Sequence, residues 1–157
     1  MTGHISRRRV LVRTVAAVGL LLPWSSRTRA QTTTPIEVFK DPSCGCCHPW
    51  VEHMNASGFK AQVKDTDTTP IKKRYGIPEK LQSCHTAVVG GFAIEGHVPA
   101  ADVRTLLARK PRGIVGLTIP GMPASAPGMD LKPFQPYTVL TFDRAGKTTV
   151  FARHDRA

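Results

Sequence analysis

Three of the four cysteines in this chain stand within four positions of one another, in the segment DPSCGCCHPW (residues 41–50). The strand pattern IEVFK precedes this segment, and apolar residues at helical spacing follow it. Proline is tolerated in an α-helix only in the first turn, where its missing N–H has no intrahelical partner. Pro49 therefore predicts a helix that begins near residues 45–47 and carries the three thiols at its N-terminus.

The segments after the cysteines alternate between strand and helix patterns. Residues 59–65 predict a second strand, and Pro70 predicts the start of a short helix that Thr68 or Thr69 caps. Residues 86–96 predict two strands joined by a Gly-Gly turn. Residues 98–110 predict a further helix, whose inward-facing residues are Val103, Leu106 and Leu107.

The order of these segments is strand, cysteine-bearing turn, helix, strand, helix, hairpin and helix. We therefore predict an α/β fold, with one thioredoxin-like domain over residues 31–157. It carries an added Pro/Gly/Met-rich loop without regular structure at 111–136 and a C-terminal hairpin at 137–153. In that fold the segment before the third strand packs against the redox cysteines. Here the segment is SCHT (residues 83–86), which lacks the cis-proline of thioredoxins and brings the fourth thiol and an imidazole to the other three.

The first thirty residues have the composition of an export signal. Four arginines accompany an apolar run that is too short and too interrupted for a transmembrane helix. Small residues at Thr28 and Ala30 favour cleavage after Ala30. SRRRVL (residues 6–11) fits the twin-arginine pattern, so we expect residues 1–30 to be a cleaved twin-arginine signal peptide of a periplasmic protein that is exported folded. An ordinary secretion signal and a retained anchor are the alternatives.

Much of the positive charge lies in that first segment. The chain has 22 basic and 11 acidic residues, and its first thirty residues hold six arginines and no acid. The remaining 16 basic and 11 acidic residues give a net charge of +5. This modest positive charge does not indicate nucleic-acid binding. The basic triplet Lys72-Lys73-Arg74 is expected to be a solvated helix face. A chain of this length can bury a core without disulfides, which favours a functional role for the cysteines.

The position of the cysteines favours reactive, metal-binding thiols. A helix N-terminus offers free N–H groups and a positive partial charge, so we expect depressed thiol pKa values. Cys44 and Cys47 have the C-x-x-C spacing of dithiol redox sites. A dithiol enzyme needs only this one pair, so Cys46 and Cys84 are additional thiols. Converging thiolates and the His85 imidazole would form a soft site for Cu(I), zinc or an iron–sulfur cluster. Two structural disulfides are the alternative.

Two methionines and two histidines extend the set of candidate ligands. Met122 and Met129 lie in a repeated Pro-Gly-Met motif, and thioethers bind Cu(I) well and zinc poorly. Alternatively, both methionines fill gaps in the packing. His85, beside the fourth cysteine, is the strongest histidine candidate, and His48 is a weaker one.

The other histidines and two aspartates are expected to lie outside the site. His53 is predicted to be exposed on the first helix, and His97 to be a capping or surface residue. His154 lies in the tail. Asp41 and Asp65 are expected to be turn and strand-end residues rather than catalytic acids.

Four motifs are shared with a known family: CGCC (44–47), CHTAVVGG (84–91), EGHVPA (95–100) and the Pro-Gly-Met pair. On these, residues 36–152 resemble the small exported proteins grouped as domain-of-unknown-function family 411, which includes a copper-resistance protein of bacterial periplasms. The resemblance implies a thioredoxin-like fold and copper as the cofactor, bound by the cysteine cluster. Because shared thiolates can bridge metal ions, we expect one copper ion or a multinuclear copper cluster. The implied metal ligands are Cys44, Cys46, Cys47, Cys84 and His85, with His48, Met122 and Met129 as weaker candidates.

We therefore expect an exported copper-binding protein that holds Cu(I) through its cysteine cluster in copper homeostasis or resistance. The resemblance further implies interconversion of Cu(I) and Cu(II), which would make the protein a copper oxidoreductase. One alternative is a thioredoxin-like thiol–disulfide oxidoreductase with Cys44 and Cys47 as the redox residues. The other is a copper chaperone without redox turnover. The expected partners are copper ions and a copper-delivery or efflux protein, with no nucleic acid and no stable membrane insertion after cleavage.

Overall fold

The computed structural model of the protein describes residues 33–156, so the predicted signal peptide lies outside the described residues. These residues form a single mixed sheet with helices between its strands. In chain order the elements are β1 (Thr34–Lys40), α1 (Cys47–Ala56), β2 (Phe59–Asp65), α2 (Thr69–Arg74), a 3-10 turn (Glu79–Leu81), β3 (His85–Val89), β4 (Phe92–Glu95), α3 (Ala100–Arg109), β5 (Ile114–Thr118), β6 (Tyr137–Asp143) and β7 (Thr148–His154).

The seven strands lie in the order β2-β1-β3-β4-β5-β6-β7. β1 pairs in parallel with β2 and antiparallel with β3, so that Lys40 at the end of β1 lies opposite His85 at the start of β3. The cysteine-bearing turn follows β1 directly, and Cys84 precedes β3 directly. The pairing of these two strands therefore brings the fourth cysteine to the other three, as the sequence predicts.

α1 begins at Cys47 and has Pro49 as its third residue, in agreement with the predicted start. Its buried face consists of Cys47, Trp50, Val51 and Met54, and the last three pack into the main core with residues of β1 and α3. The indole N–H of Trp50 donates a hydrogen bond of 3.0 Å to the carbonyl oxygen of Val98. This face fixes the N-terminus of α1, and with it the cysteines, against the rest of the domain.

α2 differs from the prediction in two respects. Asp67, rather than a threonine hydroxyl, accepts a hydrogen bond of 2.8 Å from the backbone amide of Thr69 at the start of the helix. In the basic triplet, Lys73 and Arg74 are exposed, but Lys72 is buried. Lys72 points inward because its partner, Glu95, lies fully buried on β4. The charge pattern of a six-residue helix gives no sign of a partner that lies 23 residues away.

The region predicted as an irregular loop at 111–136 contains a strand, β5, which lies parallel to β4 and antiparallel to β6. The prediction was wrong there because Gly116 interrupts a short apolar run. The glycine is required by the sheet, since a Cβ atom at Gly116 would lie 1.8 Å from the carbonyl oxygen of Ala93. Residues 119–136, which follow β5, are the Met loop, and they lead into the predicted C-terminal hairpin of β6 and β7.

Both glycines of the predicted Gly-Gly turn between β3 and β4 have positive φ angles, 56° at Gly90 and 85° at Gly91. Glycine adopts this conformation without steric cost, which favours a tight hairpin. The turn sets the antiparallel register of β3 and β4, in which Thr86 lies opposite Glu95. None of the helices between residues 33 and 156 has the length and apolar character needed to cross a membrane.

Candidate metal centre

All four cysteine sulfurs lie in one cluster. Cys44 and Cys47 form a disulfide, while Cys46 and Cys84 are free thiols. The Sγ atom of Cys46 lies 3.6 Å from that of Cys44 and 3.8 Å from that of Cys84, and the Sγ atoms of Cys47 and Cys84 are 3.4 Å apart. The four atoms all lie within 4.8 Å of one another, which is close enough for them to share a metal ion.

The turn that carries the first three cysteines is held by Asp41. Its Oδ1 atom accepts hydrogen bonds from the Ser43 amide at 2.8 Å and from the Ser43 hydroxyl at 2.5 Å. These bonds lower the pKa of Asp41. The backbone amide of Cys44 donates to the Asp41 carbonyl oxygen at 3.0 Å. Asp41 is thus a turn residue, as predicted, and Asp65 at the end of β2 forms an ion pair with Lys40 at 2.7 Å.

The cluster has a buried side and an accessible side. Cys47 is fully buried, whereas Cys44, Cys46 and Cys84 are partly exposed. The structure pairs the two cysteines that have C-x-x-C spacing and leaves Cys46 and Cys84 as thiols, in contrast to the alternative of two structural disulfides. Reducing the disulfide would supply four thiol sulfurs, and leaving it intact supplies two.

The expected depression of thiol pKa values is wrong for Cys84. Burial raises the pKa of this thiol, because the thiolate loses contact with water, and the neighbouring Cys46 raises it further. Cys84 lies before β3 rather than on α1, so the free N–H groups of the helix do not belong to its own segment. A soft cation among the sulfurs would counter the repulsion between these neighbouring thiolates.

Two buried imidazoles continue the cluster inward. His85 is fully buried, and its ring lies 4.5 Å from the Trp50 ring and 5.1 Å from the His97 ring, measured between centroids. The Nδ1 atom of His85 lies 3.8 Å from the Sγ atom of Cys84. Cys84, His85 and His97 offer three ligand atoms within 4.8 Å of one another. They form a second donor group that shares Cys84 with the four sulfurs.

Each of the two imidazoles has one ring nitrogen without a hydrogen-bond partner among the described residues. These nitrogens are the buried Nε2 atoms of His85 and His97. Burial lowers the pKa of His85 to about 3 and also lowers the pKa of His97, so both rings are neutral near pH 7. A buried polar atom without a partner is costly, and a metal ion would satisfy it. The donor set of four sulfurs and two neutral imidazoles therefore fits a soft metal ion.

His97 is the site residue that the sequence prediction missed. It was expected in a cap or at the surface, but it is 1% exposed, and its Nδ1 atom lies 2.8 Å from the carbonyl oxygen of Pro127 in the Met loop. The register of the β3–β4 hairpin could have shown that His97 lies near Cys84. Because Thr86 lies opposite Glu95 across the Gly-Gly turn, Cys84 and His97 extend toward the same end of the strand pair.

The Met loop brings one of the two candidate methionines to the sulfurs. The Sδ atom of Met122 lies 4.0 Å from the Sγ atom of Cys84, and the residue is 44% exposed. Met122 has a φ angle of 45°, in the left-handed region that non-glycine residues adopt rarely. Met129 is half-buried further along the loop, beside Gly128, which packs against the backbone of Trp50.

Two histidines on α1 lie outside both donor groups. His48, the weaker candidate ligand, is exposed, and its Nε2 atom lies 3.3 Å from a carboxylate oxygen of Glu52. His53 was predicted to be exposed, but it is half-buried, and its Nε2 atom accepts a hydrogen bond of 3.1 Å from the backbone amide of Ala100. The prediction was wrong because the N-terminus of α3, which is distant in sequence, packs against this face of α1.

The fold and the donor atoms define a small α/β protein with a cysteine-rich cluster that could hold a soft metal ion. The family model described as "Protein of unknown function, DUF411" matches residues 81–129. Two solved structures, described as copper resistance protein CopG in Form 1 and Form 2, are also similar. Form 1 is 39% identical, with a TM-score of 0.72, over 79% of this chain and 99% of that chain. Form 2 is 40% identical, with a TM-score of 0.71, over 78% of this chain and 98% of that chain.

The chain belongs to the DUF411 family, in agreement with the resemblance found in its sequence motifs. The similarity to CopG covers nearly the whole length of the solved chains and almost four fifths of this chain. A search of the curated proteins returned no match.

Proposed function

We propose that this protein is an exported copper-binding protein that holds Cu(I) through its cysteine cluster, in copper homeostasis or resistance. The main observation in support of this proposal is that the four cysteine sulfurs lie within 4.8 Å of one another. Thiolates are preferred ligands of Cu(I). The name of the solved relatives, copper resistance protein CopG, supports copper as the metal. Copper is the cargo of this site, and the protein supplies the donor atoms and their arrangement.

In the reduced protein, Cys44, Cys46, Cys47 and Cys84 bind Cu(I), and His85 adds a neutral nitrogen on the buried side. Neighbouring thiolates bridge metal ions, so four sulfurs in mutual contact suit a cluster of more than one copper ion. Met122 lies over the accessible side, where its thioether binds incoming Cu(I) before the thiolates do. His48 is a weaker member of the ligand set because it is exposed and lies outside both donor groups. Met129 is a weaker member because it lies half-buried further along the Met loop than Met122.

The disulfide adds two-electron chemistry to this site, and the proposal includes interconversion of Cu(I) and Cu(II). Two Cu(I) ions each give up one electron, the bond between Cys44 and Cys47 breaks, and two thiolates and two Cu(II) ions form. The reverse transfer re-forms the disulfide and returns two Cu(I) ions. Thiolates that bind no metal take up one proton each. In this role the protein is a copper oxidoreductase, with Cys44 and Cys47 as the redox residues.

Electron paramagnetic resonance tests this redox role, because Cu(II) gives a signal and Cu(I) gives none. We expect the signal to rise when Cu(I) is added without oxygen to protein that contains the disulfide, and two new thiols to form for every two Cu(II) ions. No signal and no new thiols would contradict redox turnover and leave storage or delivery of Cu(I) as the role.

A thiol–disulfide oxidoreductase is the second candidate function, and the unequal burial of Cys44 and Cys47 favours it. An accessible sulfur and a buried sulfur in one C-x-x-C pair suit attack by an external thiol on one side only. This function requires only one cysteine pair, so Cys46→Ser and Cys84→Ser would leave it intact. A copper-binding cluster would lose metal with either substitution.

Metal content after Cu(I) loading decides between these functions. The purified, reduced protein is loaded without oxygen, desalted and analysed by elemental mass spectrometry. We expect at least one copper ion per chain in the wild type and a loss in Cys46→Ser and in Cys84→Ser. Ala61→Ser on β2, which adds a hydroxyl away from the cluster, is the matched control. Retention of no copper, together with thiols that cycle as a single disulfide, would favour the oxidoreductase.

The proposal also includes export through the twin-arginine pathway to the periplasm and a thioredoxin-like arrangement of the elements from β1 to α3. The motif at residues 6–11 supports the first part, and the order of strands and helices supports the second. Substitution of Arg7 and Arg8 by lysine should retain the protein in the cytoplasm, as cell fractionation would measure. Normal export of that variant would contradict the twin-arginine assignment.

A further inference from the structure

A buried ion pair lies directly behind the segment that carries Cys84 and His85. The ammonium group of Lys72 contacts a carboxylate oxygen of Glu95, and their side chains are 5% and 0% exposed. Charged side chains are rarely buried to this extent unless they are paired. Lys72 lies on α2 and Glu95 at the end of β4, so the pair links two elements on either side of the segment.

The pair anchors the segment at both of its ends. On the N-terminal side, the Ser83 amide donates to Glu95 at 2.5 Å, and the Ser83 carbonyl oxygen accepts from Lys72 at 2.9 Å. On the C-terminal side, the Thr86 hydroxyl accepts from Lys72 at 2.9 Å and donates to Glu95 at 2.6 Å. The two residues held in this way are the immediate neighbours of Cys84 and His85.

We propose that Lys72 and Glu95 are positioning residues of the metal site, which hold Cys84 and His85 in the geometry that binds metal. The inference rests on the proposed copper-binding function and extends it to two residues that touch no ligand atom. Ser83 and Cys84 lie between the 3-10 turn and β3, outside the paired residues of the sheet, and no proline restricts the chain there. The buried pair supplies the constraint through four hydrogen bonds to the residues on either side.

Stability alone is a weak reason for this ion pair. Burying two charges costs free energy that their mutual attraction often fails to recover, and replacing such a pair by neutral side chains is often neutral or stabilising. Groups that hydrogen-bond to metal ligands, in contrast, typically change metal affinity about 10- to 100-fold when they are substituted. Lys72 and Glu95 act one residue further out, through Ser83 and Thr86, so we expect an effect at the lower end of that range. The pair therefore matters for the ligands in front of it more than for the folding of the domain.

The test is the double variant Lys72→Met/Glu95→Gln, which removes both charges together and leaves no buried charge unpaired. Its matched control is Lys64→Met/Glu37→Gln, which removes the exposed pair between β2 and β1. We expect Cu(I) affinity, measured by competition with a chromophoric Cu(I) chelator, to fall about tenfold or more in the first variant and to stay unchanged in the control.

A second measurement does not depend on copper. The reduced, metal-free protein is treated with iodoacetamide, and peptide mass spectrometry gives the alkylation rate of each cysteine. A positioning role predicts a several-fold faster reaction of Cys84 in the double variant with the rate of Cys46 unchanged, because only the segment before β3 is released. A merely structural role would lower the melting temperature and accelerate all four cysteines alike.

The outcomes separate this inference from the proposed function. Unchanged affinity together with an unchanged rate at Cys84 would overturn the positioning role. If the wild type binds no copper, the proposed function fails, and the rate at Cys84 alone then supports or overturns the inference. If the double variant does not fold, Thr86→Val replaces it, because that change removes a single hydroxyl from the same network, and the same two results decide.

Discussion

The Sγ atoms of Cys47 and Cys84 lie 3.4 Å apart, although 37 positions separate them in the sequence. One residue begins α1 and the other precedes β3, and the antiparallel pairing of β1 with β3 brings these two points together. The backbone of the sheet therefore holds this contact, and no covalent bond between the two cysteines is needed for it. Cys84 is consequently available both as a metal ligand and as a partner in thiol exchange.

We expect Cys47 and Cys84 to form a disulfide when Cys44 is replaced by serine. The nearest free sulfur is then that of Cys84, since a bond between the adjacent residues Cys46 and Cys47 is strained. Peptide mapping after oxidation in air would identify the new bond. Cys46→Ser is the control and should retain the bond between Cys44 and Cys47. A Cys44→Ser variant whose Cys47 stays reduced would contradict the expected exchange.

Met122→Leu should slow the uptake of Cu(I) and leave folding unchanged. The thioether lies 4.0 Å from the sulfur of Cys84 and is accessible to solvent, whereas leucine has a similar volume and no donor atom. Stopped-flow mixing of the reduced protein with a Cu(I) chelate would measure the rate. Met129→Leu, in the same loop, is the control. Equal uptake rates in the wild type and Met122→Leu would rule out a role for this thioether in capture.

Gly128→Ala should detach part of the Met loop from α1. A Cβ atom there would lie 2.6 Å from the backbone nitrogen of Trp50, and the φ angle of 83° already disfavours alanine. Gly121→Ala is the matched control, since Gly121 has a φ angle of 77° but no atom within 4 Å of the added carbon.

We expect the backbone strain alone to cost Gly121→Ala roughly 1–3 kcal/mol of unfolding free energy. Gly128→Ala should lose more than this, because the clash with backbone atoms adds to the strain. Chemical denaturation of both variants would measure the difference. Equal losses would contradict the close packing of the Met loop on α1.

His53 should make the metal-free protein less stable in mild acid. Burial lowers its pKa, because the protonated ring would lose contact with water. The neutral ring accepts the hydrogen bond from the Ala100 amide. The folded-state pKa lies below the ordinary value of about 6.5. The stabilisation is therefore complete above pH 6.5 and is lost as the pH falls through the folded-state pKa.

Melting temperatures of the metal-free protein between pH 8 and pH 5 would test this dependence. His53→Gln should lose less stability on acidification than the wild type, because glutamine does not titrate. His48→Gln, on the exposed side of the same helix, is the control and should follow the wild type. Identical pH dependence in all three proteins would contradict the role of His53.

The local elements were predictable wherever one residue restricts the backbone. Pro49 fixed the first turn of α1, and the Gly-Gly turn fixed the hairpin of β3 and β4. β5 was missed because a glycine inside a short strand lowers the strand signal, while its reason lies in the neighbouring strand, at the Ala93 carbonyl. Sequence periodicity gives no sign of the close approach between Gly116 and the Ala93 carbonyl oxygen.

The same limit applies to the site. His97 and Lys72 were expected at the surface, and both are buried against partners on other elements, Pro127 in the Met loop and Glu95 on β4. Burial and pairing between distant segments depend on strand register and helix packing. Lys72 follows the buried Ile71 and His97 precedes the buried Val98, yet nothing in the local sequence distinguishes either residue from a titratable residue at the surface.

By itself, the sequence determined the donor atoms of the site and their local spacing. Three cysteines at the start of α1, a fourth cysteine beside His85 and a methionine-rich loop are properties of the chain, because a turn and a helix N-terminus are local structures. Only the tertiary structure decided which of these donors meet, which sulfurs form a bond and which charged pair supports them. Those features depend on the pairing of β1, β3 and β4 and on burial, which arise only when distant segments pack together.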